Sequence, residues 1–131
     1  MIVLDTHAWI WWLDDHPRLR RDVRDRIDSE DDVRVCAISL LEIATAVSLG
    51  RLALRPHVDS WLETAQSVAQ LRIEPLTAAL CLESVRLPGE IHRDPADRLI
   101  VALSRNLNAP LVTADGKLLS YPHVQCISAE A

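Results

Sequence analysis

The sequence predicts a single-domain α/β protein over residues 1–131, three layers deep (α/β/α), with a central, mostly parallel sheet of about four or five strands. Three observations carry this. Short apolar runs alternate with helix-periodic segments, the runs stop at or near acidic residues, and no repeat, linker or low-complexity tract divides the chain. In sheets of this kind ligands bind beyond the carboxyl ends of the strands. The acids at those ends are therefore the first candidates for function.

Ile2 to Leu4 reads as a buried strand ending at Asp5-Thr6. A short helix follows, with Trp9, Ile10, Trp12 and Leu13 on one apolar stripe and Trp11 off it. Residues 17–31 place Leu19, Val23 and Ile27 at i, i+4 and i+8, with Pro17 suited to a first helical turn. Residues 33–38 form a second strand, and residues 39–50 return to a helical period at Leu40, Ile43, Ala44 and Val47, closed by Gly50. Residues 56–71 are helical around Val58, Leu62, Ala65 and Ala69. Residues 72–76 are extended, and residues 77–87 are helical until Pro88-Gly89. After a polar loop, residues 95–108 carry Leu99, Ile100, Leu103 and Leu107 on one face. Leu111–Thr113 is a strand, and residues 124–127 are the last one.

Fourteen Lys and Arg against nineteen Asp and Glu give a net charge of -5, which excludes a general cationic coat for nucleic acid or anionic lipid. An anionic substrate then has to be held by a local device. Cys36, Cys81 and Cys126 are odd in number and set in apolar runs, so they read as reduced core thiols of a cytoplasmic protein. No apolar stretch approaches the ~20 residues needed to span a bilayer, and no targeting segment is expected.

Four acids can converge on one rim: Asp5 after the first strand, Glu42 in the first turn after the second, Asp97 at the opening of a helix, and Asp115 after a late strand. Carboxylates gathered on one rim raise one another's pKa, and a divalent cation relieves this. Oxygen ligands alone favour Mg²⁺ or Mn²⁺ over Zn²⁺. Each acid also has a plain structural reading. Ser39-Leu40-Leu41-Glu42 has the form of a capping box, Asp94-Pro95-Ala96-Asp97 that of a capped helix start, and Asp5 and Asp115 are good turn residues.

Val3-Leu4-Asp5-Thr6-His7-Ala8-Trp9 resembles the opening of PIN-domain proteins, in particular VapC-type toxins of toxin-antitoxin pairs. The later motifs follow in order: residues 37–44 resemble the second acidic motif, residues 47–52 its continuation, residues 91–100 the third motif and residues 111–115 the fourth. Leu41 and Ala96 stand where larger aromatic residues are expected. The resemblance implies a PIN-like fold and a metal-dependent endoribonuclease in which Asp5, Glu42, Asp97 and Asp115 hold Mg²⁺ or Mn²⁺. It also implies Thr6, Ser39, Asp94 and Thr113 in supporting positions, RNA as substrate, and a VapB-type antitoxin and a homodimer mate as partners.

Metal-free cleavage by His7, His16, His57, His92 and His123 is the weaker chemistry, because these residues lie in unrelated contexts; His7 and His92 read as rim or hydrogen-bonding residues. The arginines of residues 18–26 are expected on a solvated helix face, pairing as Arg21 with Asp25, Asp22 with Arg26 and Arg24 with Asp28. Arg98, beside Asp97, is the better candidate to meet a phosphate. Three tryptophans in one short helix are more than a single buried face usually accepts, which points to a partner surface there. The alternative function is a catalytically silent PIN-fold binding module, motivated by Leu41 and Ala96 alone.

Overall fold

Ile2, Val3 and Leu4 are all fully buried, and alternate side chains of this strand enter two different cores. A strand with apolar residues on both faces needs a helical layer on each side, and that sets the architecture. The structure is a computed structural model describing residues 1–54 and 57–130. In chain order the elements are β1 (Ile2–Leu4), α1 (Thr6–Leu13), α2 (Arg21–Asp28), β2 (Val33–Cys36), α3 (Ala37–Ser48) and α4 (Val58–Ser67). Then come β3 (Leu71–Glu74), α5 (Ala78–Ser84), α6 (Pro95–Leu107), β4 (Leu111–Thr113), α7 (Gly116–Leu119) and β5 (Cys126–Ser128).

The five strands form one parallel sheet in the order β3-β2-β1-β4-β5. One face carries Trp9 of α1, Val23 and Ile27 of α2 and Trp61 of α4, packed on Ile2, Leu4 and Val112. The other carries Leu80 of α5, Ile100 and Leu103 of α6 and Leu118 of α7, packed on Val3 and Leu111. The chain builds outward from β1 to β3, then returns to the opposite side of β1 to place β4 and β5. Strand order therefore reverses at the β1–β4 pair, which opens a crevice at their carboxyl ends.

Several expectations are corrected. The second helix begins at Arg21, four residues after Pro17, because the intervening segment is a turn. There the Arg20 N–H reaches the Ala129 carbonyl at 2.8 Å. The third helix begins at Ala37, so β2 ends at Cys36. The last strand starts two residues later than expected and ends one residue later, in register with β4 through Leu111 and Cys126. Helix α7, four residues long, was not anticipated. The expected start of the fourth helix at residue 56 lies outside the described residues.

The tryptophan surface is absent, for all three rings of α1 are buried. Trp9 packs on Trp61 with centroids 4.9 Å apart, Trp12 donates its indole N–H to Asp28 at 2.8 Å, and Trp11 stacks on His16 under Arg18. The 14–20 turn covers the side of α1 that would otherwise face water. Of the three expected ion pairs on α2 none forms among the described residues. Asp28 is taken by Trp12, and Arg24 reaches back to the Trp11 and Trp12 carbonyls, each at 3.0 Å. Of the cysteines only Cys36 is a core thiol; Cys81 is exposed on α5 and Cys126 is half-buried.

Candidate active site

Asp5 follows β1 directly and caps α1. Its Oδ1 accepts from the Ala8 N–H at 2.9 Å and its Oδ2 from the Thr113 hydroxyl at 2.5 Å. Thr113, at the end of the neighbouring strand β4, in turn accepts from the Asp115 N–H at 3.0 Å. One buried hydroxyl thus fixes both acids that follow the two central strands. Asp115 is itself a cap, accepting from the Lys117 N–H at 2.9 Å. Asp5 is only 7% exposed, and burial above all pushes its carboxyl up to about 6, with the Asp97 charge adding and the bonds from Thr113 and Ala8 opposing.

Glu42 enters from the second turn of α3. Because that helix starts at Ala37, Ser39 caps nothing and the capping box does not form. Instead Thr6 Oγ1 lies 2.5 Å from Glu42 Oε1 and 2.9 Å from Ser39 Oγ. A hydroxyl has one proton to give, and the acceptor-only carboxylate takes it. Burial raises the Glu42 carboxyl above its ordinary value, and the charges of Asp94 and Asp97 raise it further.

Asp97 sits at the third position of α6. Its helix start is capped by Asp94, which accepts from the Ala96 N–H at 2.9 Å with Pro95 in the first turn, as the sequence implies. That leaves Asp97 free of capping duty, and its Oδ2 meets His92 Nε2 at 2.5 Å. Burial raises Asp97, the His92 bond opposes this, and the charges of Asp94 and Asp115 add to it. His92, Asp97 and Asp115 bring one donor atom each within 4.8 Å of one another. The spacing predicts an all-oxygen set; the structure adds this imidazole, whose signal in the sequence is its place in the polar loop immediately before α6.

Asp5, Thr6, Glu42, Asp94, Asp97 and Asp115 all line one cleft of about 590 Å³ at the β1–β4 crevice. His7, Trp11, Arg18, Arg51 and Glu130 line it too. Ser39 and Thr113 lie fully buried beneath it. Arg98 is placed differently: its guanidinium donates to the His92 and Ile91 carbonyls at 2.9 and 3.1 Å, borders a separate depression, and so holds the loop that carries His92. Leu41 points to solvent at 61% exposure and Ala96 is buried, and neither lines the acidic cleft.

The donor chemistry fits a hard divalent cation. Among the described residues none of Asp5, Glu42, Asp97 and Asp115 is paired with an Arg or Lys, although three of them are held above their ordinary carboxylate values. Buried carboxylates without a cationic partner carry a desolvation cost that a bound cation removes.

A parallel sheet with a cluster of acids at its switch point defines an acid-centred α/β domain with a candidate metal-binding rim. The PIN domain family matches residues 2–124, and the chain belongs to that family, on the VapC-type branch. It is 34% identical over 122 residues to the protein named ribonuclease VapC22 from Mycobacterium tuberculosis, covering 93% of this chain and 92% of that one. The fold is also that of VapBC2 from Rickettsia felis, solved bound to a DNA fragment from its promoter, with TM-score 0.70, 22% identity and 97% and 98% of the two chains covered. A toxin-antitoxin complex from Klebsiella pneumoniae has TM-score 0.67 at 15% identity, covering 98% of each chain. No helix among the described residues is long and apolar enough to cross a membrane.

Proposed function

We propose that the protein is the ribonuclease toxin of a toxin-antitoxin pair, a Mg²⁺- or Mn²⁺-dependent endoribonuclease of the cytoplasm. The observation that carries this is the convergence on one cleft of four carboxylates that no Arg or Lys among the described residues pairs with, and the relationship to a ribonuclease across nearly the whole chain supports it. A VapB-type antitoxin and a second copy of the chain are the proposed partners, by analogy with the toxin-antitoxin complex that shares the fold.

Asp5, Glu42, Asp97 and Asp115 would hold the cation. A cation held there would supply neutralisation of charge on the phosphodiester oxygens and a lowered pKa for bound water. The chain's own work is positioning. Thr113 fixes Asp5 and the backbone of Asp115, Thr6 with Ser39 fixes Glu42, and His92 orients Asp97 while Asp94 holds the start of α6. With His92 engaged by Asp97, the remaining donors are oxygens, the set that suits Mg²⁺ or Mn²⁺.

Incubating the purified protein with structured RNA in Mg²⁺ or Mn²⁺, beside a chelator control, tests this reading. Water attack gives products with 5′-phosphate and 3′-hydroxyl ends. Cleavage that survives the chelator, or 2′,3′-cyclic phosphate ends, would refute it.

A further inference from the structure

We propose that Arg18 grips a backbone phosphate of the RNA, and that Glu130 occupies the same guanidinium until the phosphate displaces it. This rests on the ribonuclease reading above. Arg18 lies in the turn before α2 and Glu130 follows β5, yet the two meet fork to fork, Nε on Oε2 and a terminal nitrogen on Oε1, each at 3.1 Å. The guanidinium carbon stands 4.7 Å from the centroid of the Trp11 ring, and that ring also stacks with His16 at 5.8 Å between centroids. Arg18, Trp11 and Glu130 all line the cleft that holds the four acids.

Electrostatics makes the pair informative. A polyanion approaching this cleft meets carboxylates, and among its described lining residues only Arg18 and Arg51 bring permanent positive charge. A guanidinium presents its donors in a rigid fork that matches carboxylate and phosphate alike. The two unesterified oxygens of a phosphodiester can therefore replace those of Glu130 with no hydrogen bond to the guanidinium lost and its charge still paired. The Arg18 side chain is 60% exposed and that of Glu130 34%, so the exchange opens no part of the core and releases Glu130 to water. Trp11 keeps the guanidinium at the cleft wall throughout.

A merely structural role is the competing explanation, since the same pair could pin the segment after β5, as the Arg20–Ala129 backbone bond does. The two explanations predict opposite patterns. A structural pin is broken equally from either end, so Arg18→Ala and Glu130→Gln would move RNA affinity in the same direction. A phosphate grip with an internal competitor moves them apart.

The test is steady-state cleavage of a labelled single-stranded RNA by the full chain in Mn²⁺, over a series of KCl concentrations, with a melting curve for each variant. Arg18→Ala is expected to raise KM about tenfold, the scale of one charge-assisted contact, while kcat changes less than about twofold. Its slope of log affinity against log salt should shrink by about 0.7, one single-strand phosphate contact. Arg18→Lys should keep that slope but recover only part of the affinity, because it keeps the charge and loses the fork. Glu130→Gln should lower KM severalfold. If Arg18→Ala retains the parent KM and salt slope, or if Glu130→Gln raises KM, the proposal fails while the ribonuclease reading stands. If the parent protein itself cleaves no RNA in Mn²⁺, both fail.

Discussion

Replacing Asp5 by Asn should stabilise the metal-free protein at neutral pH, although Asp5 caps a helix. Burial raises the Asp5 carboxyl from 3.8 to about 6 in the folded state. Below about pH 4 the group is protonated whether the chain is folded or not, and its charge costs nothing. Between pH 4 and 6 the unfolded chain loses the proton more readily, so folding loses stability as pH rises. Above pH 6 the loss is complete, at about 3 kcal/mol for a rise of this size. Asparagine keeps an oxygen to accept from the Ala8 N–H, but it disturbs the Thr113 hydrogen bond, which costs about 1 kcal/mol. The net gain at pH 7 is about 2 kcal/mol. For a chain of this size that is a rise in Tm of about 5–10 °C. Calorimetric melting of both proteins in chelator at pH 4 and pH 7 measures it. The advantage should be present at pH 7 and absent at pH 4, and saturating Mn²⁺ should reverse the order, because only the parent keeps the full ligand set. An Asn variant less stable than the parent in chelator at pH 7 would show that capping, not uncompensated charge, governs Asp5, and the reasoning would be wrong.

Glu42→Gln and Asp97→Asn should abolish RNA cleavage while leaving the metal-free melting temperature equal to or above that of the parent. A neutral amide is a poor ligand for a hard cation, and neither residue caps its helix; near-parental cleavage by either variant would remove that residue from the ligand set. Mg²⁺ or Mn²⁺ should raise the parent's melting temperature by preferential binding to the folded state, worth about 2.7 kcal/mol at 100 times the dissociation constant, and an unchanged melting curve across millimolar Mn²⁺ would count against a preformed site. Thr113→Val should cost about 1–3 kcal/mol, because it leaves Asp5 and the Asp115 N–H short of a buried partner. Chemical denaturation reads this directly, and a loss below about 0.5 kcal/mol would show that water replaces the hydroxyl.

The layered parallel fold was legible in the sequence because each long element carries its own period. Val23 and Ile27 fix the buried face of α2, and Leu99, Ile100 and Leu103 that of α6. Asp5 and Asp115 were legible for a related reason, since strand ends are marked by where apolar runs stop, while Glu42 and Asp97 stood near helix starts. Boundaries set by tertiary contact were not. Pro17 carries a helix-start signal, but the Arg20–Ala129 bond turns that segment into a connection. Ser39 and Glu42 have the spacing of a capping box, and the helix starts two residues earlier, which turns both side chains toward Thr6. Helix α7 is too short to show a period. The Arg18–Glu130 pair is separated by 112 residues and leaves no local trace. The three tryptophans mislead in another way, since composition alone does not reveal that the 14–20 turn covers the outer side of α1.

The metal centre itself is tested most directly by anomalous diffraction from crystals of the protein equilibrated with the Mn²⁺ concentration at which RNA cleavage saturates. The expected result is manganese density at the β1–β4 crevice, within about 2.0–2.4 Å of carboxylate oxygens from at least two of Asp5, Glu42, Asp97 and Asp115. Crystals that show no manganese there at that concentration, or show it only at acids elsewhere on the surface, would contradict it.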